Sequence, residues 1–172
     1  MDYLMLALGI LQFNESAVAQ AAKDEDATLW AAIFIAIAGA LPAASHLLIP
    51  ALLAGPLSFL IGWAIAWGLI HLCAKMLGGG GHYVQLFRAQ GLAMVVLWVG
   101  VIPLLGMPLM GLAGLYNSLV AINNVRLIHR MSMPGAVVAV ILPSLIMMAL
   151  AAFLAITFGF AILAMIGLAA AH

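Results

Sequence analysis

From Leu29 to Ile49 the sequence carries no charged residue, and apolar runs of similar length recur, parted by short polar turns, as far as Ala171. At 1.5 Å per residue a run of about 20 residues matches the ~30 Å hydrocarbon core of a bilayer. Hydrophobic residues make up 68% of the chain and charged ones 6%, too few to cover a soluble domain of 172 residues. The sequence therefore predicts an all-α, polytopic integral membrane helical bundle. Single-cysteine usage, at Cys73 inside an apolar run, excludes an intrachain disulfide. Nothing resembles a nucleic-acid-binding surface.

About five transmembrane helices are expected, over residues 29–49, 57–77, 89–105, 109–125 and 135–160, making one membrane domain over 29–172. A segment over 1–28 precedes them. There Gln12, Glu15, Ser16, Ala19 and Lys23 share one helical face, as in a single amphipathic helix lying in the membrane interface. The apolar stretch Tyr3 to Phe13 followed by Ala17-Val18-Ala19 looks superficially like a secretory signal, but it opens on Asp2 where a signal needs positive charge, so it is expected to be retained. Asp24-Glu25-Asp26 and Thr28 favour a helix start before Leu29. Pro50 is expected to close the first span, Ala54-Gly55-Pro56 to form a turn, and the Pro103 to Pro108 stretch to bend a tight hairpin. Small residues at Ala32, Ala36, Ala40 and Ala44, and at Ala151, Ala155 and Gly159, offer faces where another helix can approach closely, within the chain, in a homo-oligomer or on a related membrane protein. The run 135–171 exceeds one crossing yet has no polar turn, which leaves one crossing or two open.

Charge is distributed unevenly. All acids (Asp2, Glu15, Asp24, Glu25, Asp26) precede Leu29, and Lys75, Arg88, Arg126 and Arg130 follow it. In a five-span chain the connections holding these four bases share one side, which the positive-inside rule makes cytoplasmic together with the N-terminus. The absence of any acid after Asp26 excludes an intramembrane aspartyl protease, an H-E-x-x-H zinc site and a carboxylate proton relay in the spans. Gly78-Gly79-Gly80-Gly81 is no phosphate-binding loop, because no Lys-Ser or Lys-Thr follows it. No catalytic residue, metal site or cofactor is therefore expected, and the chain reads as a non-enzyme. Two groups of polar residues remain as candidates. Arg88, His129 and Arg130, with Lys75, Arg126 and His82 around them, would form a basic cytoplasmic patch for anionic head groups if the glycine loop passes beneath the turn at 126–134. His46, His71, Asn117 and Ser118 are the polar side chains expected within the membrane.

The segment Met76-Leu77-Gly78-Gly79-Gly80-Gly81-His82-Tyr83-Val84-Gln85-Leu86-Phe87-Arg88, the proline hairpin, and His129-Arg130-Met131-Ser132-Met133-Pro134-Gly135-Ala136-Val137 with Pro143 downstream resemble the Yip family of membrane proteins, over roughly residues 29–160. The resemblance implies five spans and a cytoplasmic N-terminus. Eukaryotic members of that family interact with Rab-type GTPases in vesicle traffic. This chain lacks the long cytosolic N-terminal region they carry, so Rab-type GTPase binding is not expected, and it looks more like the short relatives of prokaryotic inner membranes. Three functions stay open on these grounds: a non-enzymatic membrane scaffold or interaction protein, a small-solute channel or carrier, and an anionic-lipid-binding protein.

Overall fold

The structure, a computed structural model, describes residues 2–45, 49–102 and 105–170. The chain is all helical: α1 Tyr3–Leu11, α2 Glu15–Lys23, α3 Ala27–Ser45, α4 Ile49–Met76, α5 Tyr83–Ala93, a 3-10 segment Met94–Val101, α6 Gly106–His129 and α7 Met133–Ala170.

The N-terminal segment is two helices, where one was expected. Asp2 caps α1 by accepting from the Leu4 and Met5 amides at 3.0 and 3.2 Å. The Asn14 carboxamide caps α2 through Ser16 N at 3.0 Å. Between them Phe13 takes a left-handed φ of 60°, which turns the chain back on itself. Glu15, Ser16, Ala19 and Lys23 do lie outward, while Ala17, Val18, Ala21 and Ala22 are buried. Gln12 belongs to the turn. With Leu6, Ala7 and Ile10 of α1, the buried face of α2 joins Phe34, Leu92 and Val120 in one of two apolar cores. The other core gathers Ile35, Trp67, Leu86, Met94, Val125 and Ala139 from α3 to α7.

The expectation of five spans is not met. Among the described residues two helices are long and apolar enough to cross a membrane, Leu52–Met76 and Tyr83–Val101. A third is reached only if Glu15–Lys23 and Ala27–Pro42, bent by 109°, count as one. The physical reasons differ from place to place. The first expected span is half of that bent pair. In α6 the amides of Asn117, Asn123 and Asn124 and the charge of Arg126 offset its leucines. In α7 the apolar stretch described in full, Met133–Ile146, is shorter than the ~20 residues of a crossing.

Prolines mislead in the same way. Pro56 lies inside α4, so the expected turn does not exist there, while Pro50 is the second residue of α4 and sits in its first turn. Pro143 lies inside α7. Of the proline hairpin, Pro103 and Leu104 lie outside the described residues. Pro108 sits in the first turn of α6, where a missing amide hydrogen has no helical partner to lose.

Small residues set the closest helix contacts. A Cβ on Gly39 of α3 would come within 2.7 Å of the Gly55 carbonyl oxygen of α4, and one on Gly91 of α5 within 2.5 Å of the Ala31 Cβ. The expected alanine face lies beside this contact: Ala32, Ala36 and Ala40 are half-buried, whereas Ala31 and Ala38 are fully buried. The side chains of Ala44, Ala151, Ala155 and Gly159 lie outside the described residues.

Candidate functional site

Two polar clusters stand out from this apolar framework. The first closes one end of the bundle. Arg130 ends α6 in a left-handed conformation with φ 53° and ψ 46°. The preceding residue presents its backbone to the glycine loop: Gly80 N donates to the His129 carbonyl at 2.9 Å. Two loop glycines make the approach possible. A Cβ on Gly81 would lie 2.5 Å from the Ile128 carbonyl oxygen, and one on Gly79 would lie 2.9 Å from the His129 Cβ. Beneath the loop the His129 ring is 1% exposed, with Nε2 3.4 Å from Nδ1 of His71. Its own Nδ1 is buried without a partner. Burial, with the His71, Lys75 and His82 charges adding to it, pushes the His129 pKa down to about 4, so both nitrogens cannot be protonated at neutral pH. Two imidazoles with no carboxylate to orient them are a packing and hydrogen-bonding pair. No group of three or more His, Cys, Asp or Glu converges among the described residues.

The bases of the expected patch meet different fates. Arg88 turns inward to α2 and α3, its Nε donating to Thr28 Oγ1 at 2.7 Å and its Nη1 to the Ala22 carbonyl at 3.2 Å. Arg126 pairs with Glu15 at 2.7 Å and also donates to Asn123. Lys75 leans over the glycine loop, its ammonium 3.4 Å from the Gly80 carbonyl. The His82 amide donates to the Gln85 side chain, which starts α5. Lys75, His82 and Arg130 are exposed. Arg130 and Lys23 line one shallow cavity with Glu15 between α2 and α6. All the cationic side chains therefore gather at the loop end of the bundle, some spent on holding α2 and some facing outward.

The second cluster lies deeper. Gln90 of α5 is fully buried; its Nε2 donates to Asn117 Oδ1 at 2.9 Å and its Oε1 accepts from Asn124 Nδ2 at 2.8 Å. In lipid a buried amide without such partners is costly, so the three side chains tie α5 to α6. Sequence reading found Asn117 and missed Gln90, although a lone amide in the run 89–105 is a usable signal. Asn117 and Ser118 border a cavity of about 230 Å³ between α4, α5, α6 and α7. His71 lies elsewhere, against His129, and His46 is outside the described residues.

This ordered set of a glycine loop docked on a helix-ending His-Arg turn, with the helices flanking both, coincides with a family match to the Yip1 domain over residues 8–156. The chain belongs to the Yip1 domain family. Neither a curated protein nor a solved structure matches it. Yip1 domain membership and the apolar helices together make it an integral membrane protein. The matched region opens within α1, so α2, which holds both Glu15 and Ala22, lies inside the match together with the bundle it docks on.

Proposed function

We propose that this Yip1 domain protein is a non-enzymatic membrane scaffold that associates side by side with a second copy or with a related membrane protein. One observation carries the reading. Gly39, Gly55 and Gly91 are filled by neighbouring helices, but a Cβ on Gly62 of α4, or on Gly111 or Gly114 of α6, would meet nothing within 4 Å. Leu112, Leu115 and Leu119 flank the α6 glycines and are exposed. Lipid gives apolar burial no net drive to bring helices together, so bare small-residue faces favour close approach of another helix. Gly111→Leu and Gly62→Leu should each lower the associated fraction in bilayers without lowering insertion. A wild-type chain that stays monomeric at high density and captures no other membrane protein would end this reading.

A second reading, head-group binding at the loop end, is supported by the exposed Lys75, His82 and Arg130 around the glycine loop. The same gathering of bases supports a cytoplasmic position for that end and for the N-terminal helices beside it. Arg130→Gln with Lys75→Gln should weaken salt-sensitive binding to anionic vesicles. In a Cys73→Ala background, cysteines at Gly80 or Ser132 should resist an impermeant thiol reagent applied outside; labelling of either would reverse the orientation.

A further inference from the structure

The cavity between α4, α5, α6 and α7 has a polar floor and an apolar wall. Gln90 and Asn117, 0% and 3% exposed, form the floor, and the Trp63 and Trp67 rings, 5.7 Å apart, stand along one side. Ser118 and Ser144 edge it and are themselves exposed, so the cavity opens to the outside of the bundle.

The hydrogen-bond inventory leaves specific vacancies. Gln90 Nε2 donates to the Asn117 side chain and backbone carbonyl, at 2.9 and 3.4 Å, and its Oε1 accepts from Asn124. The Asn117 Nδ2 donates only to the Met94 sulfur at 3.6 Å, a weak acceptor. Ser118 and Ser144 spend their protons on the Gly114 and Val140 carbonyls of their own helices, at 3.0 and 3.3 Å. Both hydroxyl oxygens keep lone pairs free. The cavity thus offers the weakly engaged Asn117 amide and the hydroxyl oxygens of Ser118 and Ser144, and among the described residues no charged side chain lines it.

We infer that this cavity binds the polar end of an uncharged lipid carrying a free hydroxyl, of the diacylglycerol type. A hydroxyl both accepts and donates, so it can use the Asn117 N–H and a serine oxygen together. A phosphate or ammonium would enter a charge-free, low-dielectric pocket without a counter-ion. The volume of about 230 Å³ lies below the range of whole-ligand pockets, so it fits one glycerol-sized end, with the chains left among the surrounding lipid.

The test uses the full chain in phosphatidylcholine nanodiscs containing increasing fractions of acyl-brominated diacylglycerol, read by tryptophan quenching. Phosphatidylcholine with the same brominated chains is the control. Quenching by the diacylglycerol should saturate at low mole fraction, whereas the control should rise in proportion. Ser144→Leu fills the mouth from an exposed position, and should raise the half-saturating fraction by about tenfold or more, the effect of ~1.4 kcal/mol. Asn117→Leu should do the same. Quenching that rises in proportion for both lipids would overturn the inference. So would saturable quenching that both variants retain, since the lipid would then be bound elsewhere.

Discussion

Arg126 reaches across 111 positions of sequence to place its Nη2 2.7 Å from the Glu15 carboxylate, which ties α2 to the end of α6. Both side chains are well exposed, and exposed ion pairs contribute about 0–1 kcal/mol. Arg88 is the stronger tie, because it is half-buried and satisfies both the Thr28 hydroxyl and the Ala22 carbonyl near the end of α2. Hydrogen bonds to a charged group are worth about 1.5–3 kcal/mol each. Arg88→Ala should therefore loosen α1 and α2 and speed tryptic cleavage after Lys23, while Glu15→Gln should change that rate little.

The glycine loop gives a graded series. Gly81→Ala drives a methyl into the Ile128 carbonyl and Gly79→Ala drives one between the Ala74 carbonyl and His129, at 2.8 and 2.9 Å. Overpacking of this kind costs about 1–3 kcal/mol. Gly80→Ala meets nothing within 4 Å and should be close to neutral. Gly78 also has room, but its φ of 88° makes Gly78→Ala strained. Melting temperature in detergent should rank the variants accordingly: Gly80→Ala near wild type, the other three below it.

His129 predicts a pH dependence. Its folded pKa is about 4 against an ordinary 6.5, so the unfolded chain binds the extra proton between those values. The neutral ring's contribution is fully present above pH 6.5 and is lost as pH falls toward 4. Unfolding free energy should drop by up to about 1.4 kcal/mol per pH unit across that window. His129→Gln should flatten this slope relative to wild type; equal slopes would show that the ring is not held neutral.

Gln90→Leu removes the partner of two amides at once, Asn117 and Asn124. Interhelical hydrogen bonds in membranes average about 0.6 kcal/mol and reach about 1.7. The variant should lose roughly 1–3 kcal/mol on that scale, measured by unfolding in mixed micelles. Asn124→Leu, which removes only one of the two contacts, should lose about half as much.

Much of this was legible in the residues. Helix class and membrane setting follow from the uncharged runs, and glycines at 78–81 left open a close approach of that loop beneath the turn at 126–134. The number of crossings was not legible. Glycine and proline at positions 55 and 56 read as a break, yet α4 runs through them, because a helix in lipid keeps its backbone bonds wherever neighbours make good the lost one. Amides misled in the opposite direction. Asn117, Asn123 and Asn124 were accepted inside a span, whereas together with Arg126 they keep α6 from being apolar enough to count as one. The fate of Arg88 was hidden for another reason: a base 60 positions from Thr28 gives no sign in the sequence of which carbonyl or hydroxyl it will meet.

The long reach from Glu15 to Arg126 also sets an order of events during synthesis. The N-terminal helices leave the ribosome first, but the residues that fasten them are made 60 to 111 positions later. At about 5–20 residues per second the wait lasts roughly 3 to 20 seconds. Of the core that the Leu6, Ala7 and Ile10 stripe joins, α2 and Phe34 of α3 are made early, whereas Leu92 and Val120 come later and leave the stripe partly uncovered until then. The newborn hairpin thus waits incompletely packed before it becomes part of the bundle, and a slow stretch of translation before Arg126 would lengthen that wait.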